Sequence, residues 1–260
     1  MDLQLKNKVV LITGGAKGIG AAITRTCLQE GAIAVAVDRD AEACERFRHE
    51  LTKQNLKAGF IPMDLSSAEN CQAIVQQAVA QFEHIDALVN NAGINDKVGL
   101  EHGSPQEFIC SLERNLLHYY NMAHYALPHL KKVRGSIVNI SSKTAVTGQG
   151  GTSGYVAAKG GILGLTREWA AELLPYRIRV NAVLPSDVMT PLYQQWLNSF
   201  PDPQGKLKNI VARIPFEKRM TTPDEIAAMV VFLISVKAGH ITGQHLFVDG
   251  GYVHLDRALT

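Results

Sequence analysis

The chain is predicted to fold as an α/β domain on one parallel sheet of seven strands, and three features of its 260 residues carry that expectation. Short apolar runs alternate with longer segments whose apolar residues recur at helical spacing, the order of a parallel sheet with right-handed crossovers. The first such run, residues 8–13, feeds straight into a glycine-rich turn and a helix. No internal repeat, linker or low-complexity segment interrupts the pattern, so residues 1–260 are expected to form a single domain.

Composition narrows the function classes. With 46% hydrophobic and 19% charged residues the chain reads as globular, and no apolar run reaches the eighteen or so residues that span a bilayer. A net charge of +2, carried by dispersed lysines and arginines, argues against nucleic acid as the partner. Residues 1–6 lack the apolar core of a signal peptide, so a cytoplasmic location is expected. Cys27, Cys44, Cys71 and Cys110 fall on four separate predicted helices without Cys-x-x-Cys spacing, as packed free thiols do.

Taken in order, strand 8–13 is followed by Thr13-Gly-Gly-Ala-Lys-Gly-Ile-Gly20 and a helix over 21–30. Such a turn brings backbone N–H groups and a helix N-terminus against a pyrophosphate, with Gly14, Lys17, Gly18, Ile19 and Gly20 at the contact. Strand 33–38 ends in Asp38, eighteen residues after Gly20, where a carboxylate accepts from adenosine ribose hydroxyls and repels a 2′-phosphate. NAD is therefore favoured over NADP, although Arg39 and Lys17 are cations close enough in sequence to oppose that preference.

A helix over 41–54 and a third strand over 57–62 follow, and Asp64 and Leu65 then stand where the adenine edge would lie. Ser66 and Glu69 read as a capping box opening a helix that carries Cys71, Ile74, Val75, Ala78, Val79 and Phe82. Strand 86–90 leads into Asn90-Asn-Ala-Gly93, whose small Ala92 and Gly93 let the backbone approach a cofactor at Asn90. Ser104, Pro105 and Glu107 open a long helix running through Asn115 to about residue 132. His118, His124 and His129 on it, six and five residues apart, do not share one face, so no metal site is expected.

The apolar strand 136–142 delivers Ser142 to its carboxyl end, the edge where open α/β sheets bind ligands. The polar, glycine-rich residues 148–154 fold the next helix back over that edge. Tyr155-Val-Ala-Ala-Lys159 then sets a phenol and an ammonium one helical turn apart. An ammonium about 4 Å from a phenol supplies about 4 kcal/mol at an effective dielectric near 20, which brings a pKa near 10 toward neutrality. Ser142 and Tyr155 gripping one substrate oxygen, with Lys159 behind them, make a proton-transfer site. Asn95, Asp96, Lys143, Gln149, Thr152 and Asp187 flank it, a polar rim suited to a ring of hydroxyls.

A sixth strand over 177–183 gives way to residues 186–215, read as an irregular lid bearing Tyr193, Trp196 and Phe200 among several prolines. Thr222 and Glu225 cap the next helix, and 245–249 is the seventh strand.

The ordered set Thr13-Gly-x-x-x-Gly-x-Gly20, Asn90-Asn-Ala-Gly93, Asn115, Ser142 and Tyr155-x-x-x-Lys159 resembles the short-chain dehydrogenase/reductase family over nearly the whole chain. That resemblance implies a Rossmann-type, doubly wound sheet with helices on both faces and a tetrameric assembly. It also implies that Tyr155 takes a hydroxyl proton as hydride passes to the nicotinamide and that Ser142 holds the same oxygen. Lys159 would bind the nicotinamide ribose, Asn115 would hold a water linking Lys159 to solvent, and Val188 and Thr190 would border the nicotinamide. One position departs, because the family's usual Pro-Gly after the sixth strand is Pro185-Ser186 here. Residues 115–120, 142–150 and 249–259 look similar to the bacterial L-fucose dehydrogenase group, implying oxidation of an aldose to its lactone. The other readings are a hydroxysteroid or 3-oxoacyl oxidoreductase, which Trp196, Phe200, Lys206, Lys208 and Arg213 leave open, and a non-catalytic NAD-binding regulator. Ala157, Ala158, Gly160, Gly161 and Gly164 give the Tyr155 helix a small-residue face that suits packing between subunits of a homotetramer or against its own sheet.

Overall fold

The computed structural model describes residues 1–255. Its strands are β1 (Val9–Thr13), β2 (Ile33–Asp38), β3 (Gly59–Pro62), β4 (Ala87–Asn90), β5 (Ser136–Ile140), β6 (Arg179–Pro185) and β7 (His245–Val248). All pair in parallel, in the order β3-β2-β1-β4-β5-β6-β7. Strand order reverses between β1 and β4, and a ligand crevice opens at such a switch point.

Helices cover both faces. Val10 and Ile12 of β1 belong to a core shared with α1 (Gly18–Gln29), α2 (Ala41–Lys53) and α9 (Pro223–Ile234). Val9 and Leu11 point the other way, into a core shared with α3 (Ala68–Phe82), α5 (His118–Val133) and α6 (Ser153–Glu172). Burial on both sides is why the strands read as unbroken apolar runs.

Four local readings change. Ser67, not Ser66, caps α3 by accepting from Asn70 N through its hydroxyl, because α3 begins at Ala68 and Ser67 is the residue before it. The long helix divides into α4 (Pro105–Leu112), a π-helical turn (Glu113–Leu117) and α5, which places Asn115 in the widened turn. β6 begins two residues late, because Arg177 adopts a left-handed φ of 57° after the 3-10 turn Leu174–Tyr176. Residues 186–215 contain α7 (Pro191–Leu197) and α8 (Pro203–Val211). Pro191 and Pro203 follow the caps Thr190 and Asp202 at the first helical position, where proline starts a helix and does not break it.

The three histidines of the long helix diverge as their spacing predicts: His118 is buried while His124 is exposed and stacks on Tyr120. His118 Nε2 lies 3.1 Å from Arg114 O and its Nδ1 has no hydrogen-bond partner. Burial, reinforced by the nearby Lys159 charge, pushes this imidazole down to about 4. Above pH 6.5 both folded and unfolded chains hold it neutral; as pH falls from 6.5 toward 4 only the unfolded chain takes the proton, so stability is lost through that window. Urea unfolding of wild type and His118→Gln at pH 7 and pH 4 is expected to show a pH-dependent loss about 3 kcal/mol smaller in the variant. Identical pH dependence would show that His118 is not the group responsible.

Candidate active site

The glycine turn is fastened to the end of β4. Thr13 Oγ1 accepts from Asn91 N at 2.9 Å and Ala92 N at 3.1 Å, while Asn91 Nδ2 donates to Thr13 O and Gly14 O. A Cβ on Gly20 would overlap the Gly14 carbonyl oxygen and stand 2.7 Å from Asn91 Nδ2, so this tight start of α1 admits glycine only. Gly14, Lys17, Gly18, Ile19 and Gly20 thus form a bare backbone cradle at the amino end of α1, the geometry that receives a pyrophosphate. The Thr190 methyl closes one side, 3.3 Å from where a Gly18 Cβ would stand.

Asn91 was missed by sequence reasoning, which chose Asn90. The Asn90 side chain turns into the core, donating to Asn139 Oδ1 at 3.1 Å and Tyr119 O at 3.4 Å, so only its main chain can face a cofactor. Alternation explains the exchange: Asn90 is the cross-strand neighbour of Asn139, whereas Asn91 leaves the strand and is free to reach the turn. The Val188 side chain is 5% exposed and packs in the core shared with α1 and α9.

At the tip of β2, Asp38 is buried and accepts from Asp40 N at 3.1 Å. Lys17 reaches over it, 2.9 Å from Asp40 Oδ2 and 4.0 Å from Asp38 Oδ1. Its charge is therefore engaged by two carboxylates. Arg39 is exposed and lies 4.0 Å from Asp64 Oδ2; Asp64 is held below the usual carboxylate range by its hydrogen bonds from Ser66. Leu65 packs on the α3 side of the sheet.

At the carboxyl end of β5 the proton-transfer candidates meet. Ser142 caps a 3-10 turn (Lys143–Ala145) and accepts from Thr144 N and Oγ1, and it lies near the Tyr155 phenol. Lys159, one turn farther along α6, is 2% exposed. Its Nζ donates to Ile140 O at 2.8 Å and to Tyr119 Oη at 3.1 Å, and stands 5.6 Å from the centroid of the Tyr155 ring. Burial drives Lys159 down to about 7 and raises Tyr155 to about 12, with Ser142 pulling the phenol partly back. Lys159 Nζ is thus engaged by Ile140 and Tyr119, and the Tyr155 phenol stands above its ordinary value. Tyr119, a fully buried residue, is a second member of this site that the sequence reading assigned no role.

Asn115 accepts from Ile94 N at 2.7 Å through Oδ1 and donates to Ser111 O at 3.0 Å through Nδ2. With both ends of the amide occupied, it fixes the chain beside Gly93, where an added Cβ would meet Asn115 Oδ1 and Lys159 Nζ at 3.1 and 3.3 Å. On the rim, Lys143 forms an ion pair with Asp187. Asn95 is half-buried and accepts from Lys97 N, Asp96 accepts from Ser111 Oγ, and Gln149 is exposed on an open glycine loop. Ser186, at the position where glycine is usual, lies 3.4 Å from Asp187 Oδ2, and the loop is held by Thr221 N donating to Asp187 O. Among the described residues no group of three or more His, Cys, Asp or Glu is placed to hold a metal ion, and no helix is long and apolar enough to cross a membrane.

Comparison with known proteins agrees with this geometry. Residues 14–253 match the family model described as enoyl-(acyl carrier protein) reductase. The chain belongs to the short-chain dehydrogenase/reductase family. It is 39% identical to the L-fucose dehydrogenase of Rattus norvegicus over 95% of this chain and 90% of that one. It is 34% identical to the 3-oxoacyl-[acyl-carrier-protein] reductase of Thermotoga maritima, over 96% and 100%. The crystal structure of Cj0485 dehydrogenase superposes with a TM-score of 0.94 at 46% identity, covering 100% of this chain and 99% of that one. Thermoplasma acidophilum aldohexose dehydrogenase does so at 0.88 and 32% identity, over 97% and 96%. The protein is an oxidoreductase acting on CH–OH groups, and its family binds a nicotinamide cofactor. The bare glycine cradle and the carboxylate at the tip of β2 fit that dinucleotide. Gly20→Ala is expected to weaken dinucleotide binding by about 100-fold or more in a fluorescence titration, since the backbone must shift to admit the methyl group. Unchanged affinity in a folded variant would remove the cradle from the binding site.

Proposed function

We propose that this protein oxidises an aldose, L-fucose or a close relative, to its lactone with NAD. The observation that carries the reading is the Tyr155 phenol one helical turn from a buried Lys159 at the sheet edge, with Ser142 near enough to pull the phenol's pKa partly back. A bound nicotinamide dinucleotide supplies the two-electron acceptor. The chain's own residues act at the substrate oxygen: Ser142 holds it and Tyr155 accepts its proton. Burial disfavours the phenolate by about 3 kcal/mol relative to a free tyrosine. Lys159 Nζ stands 5.6 Å from the Tyr155 ring centroid, and an ammonium about 4 Å from a phenolate oxygen supplies about 4 kcal/mol at an effective dielectric of 20, which more than offsets that burial. Asn115 supports this by fixing the Gly93 segment; a water linking Lys159 to solvent would bind its main chain, since its side chain is engaged.

NAD is preferred over NADP because Asp38 is buried at the strand tip and the nearest cation, Lys17, is already paired with acids. An aldose is preferred because the Lys143–Asp187 pair borders Ser142, and relatives at 39% and 32% identity are named for L-fucose and aldohexose oxidation. The family-model description and the Thermotoga relative support a 3-oxoacyl reductase as the second reading. A silent NAD-binding regulator has no use for the Ser142, Tyr155 and Lys159 arrangement. Residues 186–215, seated beside the crevice through Thr190, serve as the substrate lid. A homotetramer is also proposed. Gly164 has open space around it, Ala157 is exposed, and Ile109, Leu117 and Tyr120 expose about half their surface on the preceding helices.

Initial rates of NAD reduction with L-fucose, D-arabinose and L-galactose are expected to exceed those with a hydroxysteroid or a 3-hydroxyacyl thioester, and NADP is expected to be the poorer acceptor. Turnover confined to the acyl substrate would establish the second reading, and rates with NADP equal to NAD would overturn the cofactor preference. Tyr155→Phe is expected to lower kcat about 1,000-fold with dinucleotide affinity within a few-fold of wild type; retained turnover would remove Tyr155 as the base. Sedimentation at micromolar concentration is expected to show a tetramer, and a monomer would contradict the assembly.

A further inference from the structure

Next to Ser142 four segments of the chain converge on one carboxylate. Asp187, just beyond β6, pairs through Oδ2 with Lys143 from the turn after β5. Its Oδ1 accepts from Tyr193 Oη of α7 at 3.0 Å. The Lys143 ammonium also lies 3.7 Å from the ring centroid of Tyr252, in the segment after β7. The ion pair is nearly dry, with Lys143 13% and Asp187 17% exposed at the side chain. A pair this desolvated is weak as a stabilising device, since an apolar pair of similar volume would serve as well or better. Its position points to recognition.

We propose that Lys143, Asp187 and Tyr193, floored by the Tyr252 ring, form the hydroxyl-reading subsite that selects a pyranose. The proposal rests on the aldose reading above. The donor and acceptor inventory matches two adjacent hydroxyls. An ammonium has three N–H donors, of which Asp187 takes one and the Tyr252 ring faces another. A carboxylate offers about four lone-pair sites, and Lys143, Tyr193 and Ser186 use three. One donor and one acceptor remain side by side. A vicinal diol, which both gives and accepts, satisfies both; a steroid face or an acyl chain would desolvate the cluster and return nothing. Tyr193 ties the cluster to α7, so a sugar held by Asp187 is also held against the lid helix.

The test compares kcat/KM for L-fucose with that for cyclohexanol, a ring alcohol without neighbouring hydroxyls, in wild type, Lys143→Met, Asp187→Asn and Tyr193→Phe. Lys143→Met and Asp187→Asn are expected to lose about 100-fold on L-fucose, mainly through KM, and Tyr193→Phe about 10-fold. Cyclohexanol oxidation is expected to fall several-fold less than L-fucose oxidation, and dinucleotide affinity within a few-fold of wild type checks that each variant is folded. Equal losses on both substrates, or no loss on the sugar in any of the three, would overturn the subsite while leaving the aldose reading intact. A wild-type enzyme that oxidises cyclohexanol but no aldose would defeat both together.

Discussion

A buried ammonium must find its hydrogen-bond acceptors inside the protein, and the placement of Lys159 constrains everything around it. Its acceptors are the last carbonyl of β5 and the hydroxyl of Tyr119, itself donated to that same carbonyl at 2.8 Å. Ser141 Oγ donates to Lys159 O at 2.9 Å, so backbone and side chain of this residue are both tied to one strand end. α6 is thereby locked across the carboxyl edge of the sheet, and with it Tyr155 is set against Ser142. The absence of a side chain at Gly93 lets the neighbouring segment close over the ammonium, and Asn115 in the π-helical turn holds that segment in place.

This arrangement places a charge where it is poorly tolerated, so burial holds the Lys159 ammonium down to about 7 and the Tyr155 phenol up to about 12. Lys17 at the tip of β2 is likewise held over two carboxylates, 2.9 Å from Asp40 Oδ2 and 4.0 Å from Asp38 Oδ1. On the substrate side, the serine that replaces the usual glycine after β6 is drawn toward Asp187, so the chain's departure from its family falls within the polar cluster bordering Ser142. General chemistry is thus held by the sheet edge, and individuality by the loops above it.

Much of this was legible in the sequence for simple reasons. A sheet covered on both faces needs unbroken apolar strands, and those seven runs were found, with β2 matched at both ends and the others within two residues. Capping boxes at Ser104 and Thr222 were readable because they depend on residues three apart. What escaped depends on tertiary context. Asn90 and Asn91 are chemically identical, and only the register with Asn139 sends one inward. Tyr119 reads as one more apolar helix residue until β5 is laid beside it. The prolines of residues 186–215 suggest irregular chain until their caps are recognised. The Lys159–Tyr155 spacing along α6 was foreseeable; that the ammonium would also donate to Ile140 O and Tyr119 Oη was not.

The most direct measurement is the ionisation of Tyr155 itself, read as phenolate absorbance in wild type minus Tyr155→Phe across pH, with and without bound dinucleotide, and repeated in Lys159→Met. The phenol should titrate well above 10 in the free protein and fall toward neutrality when the dinucleotide is bound, and the fall should vanish without Lys159. A phenol that titrates at the same high pH in all of these states would contradict the central role given to the buried ammonium.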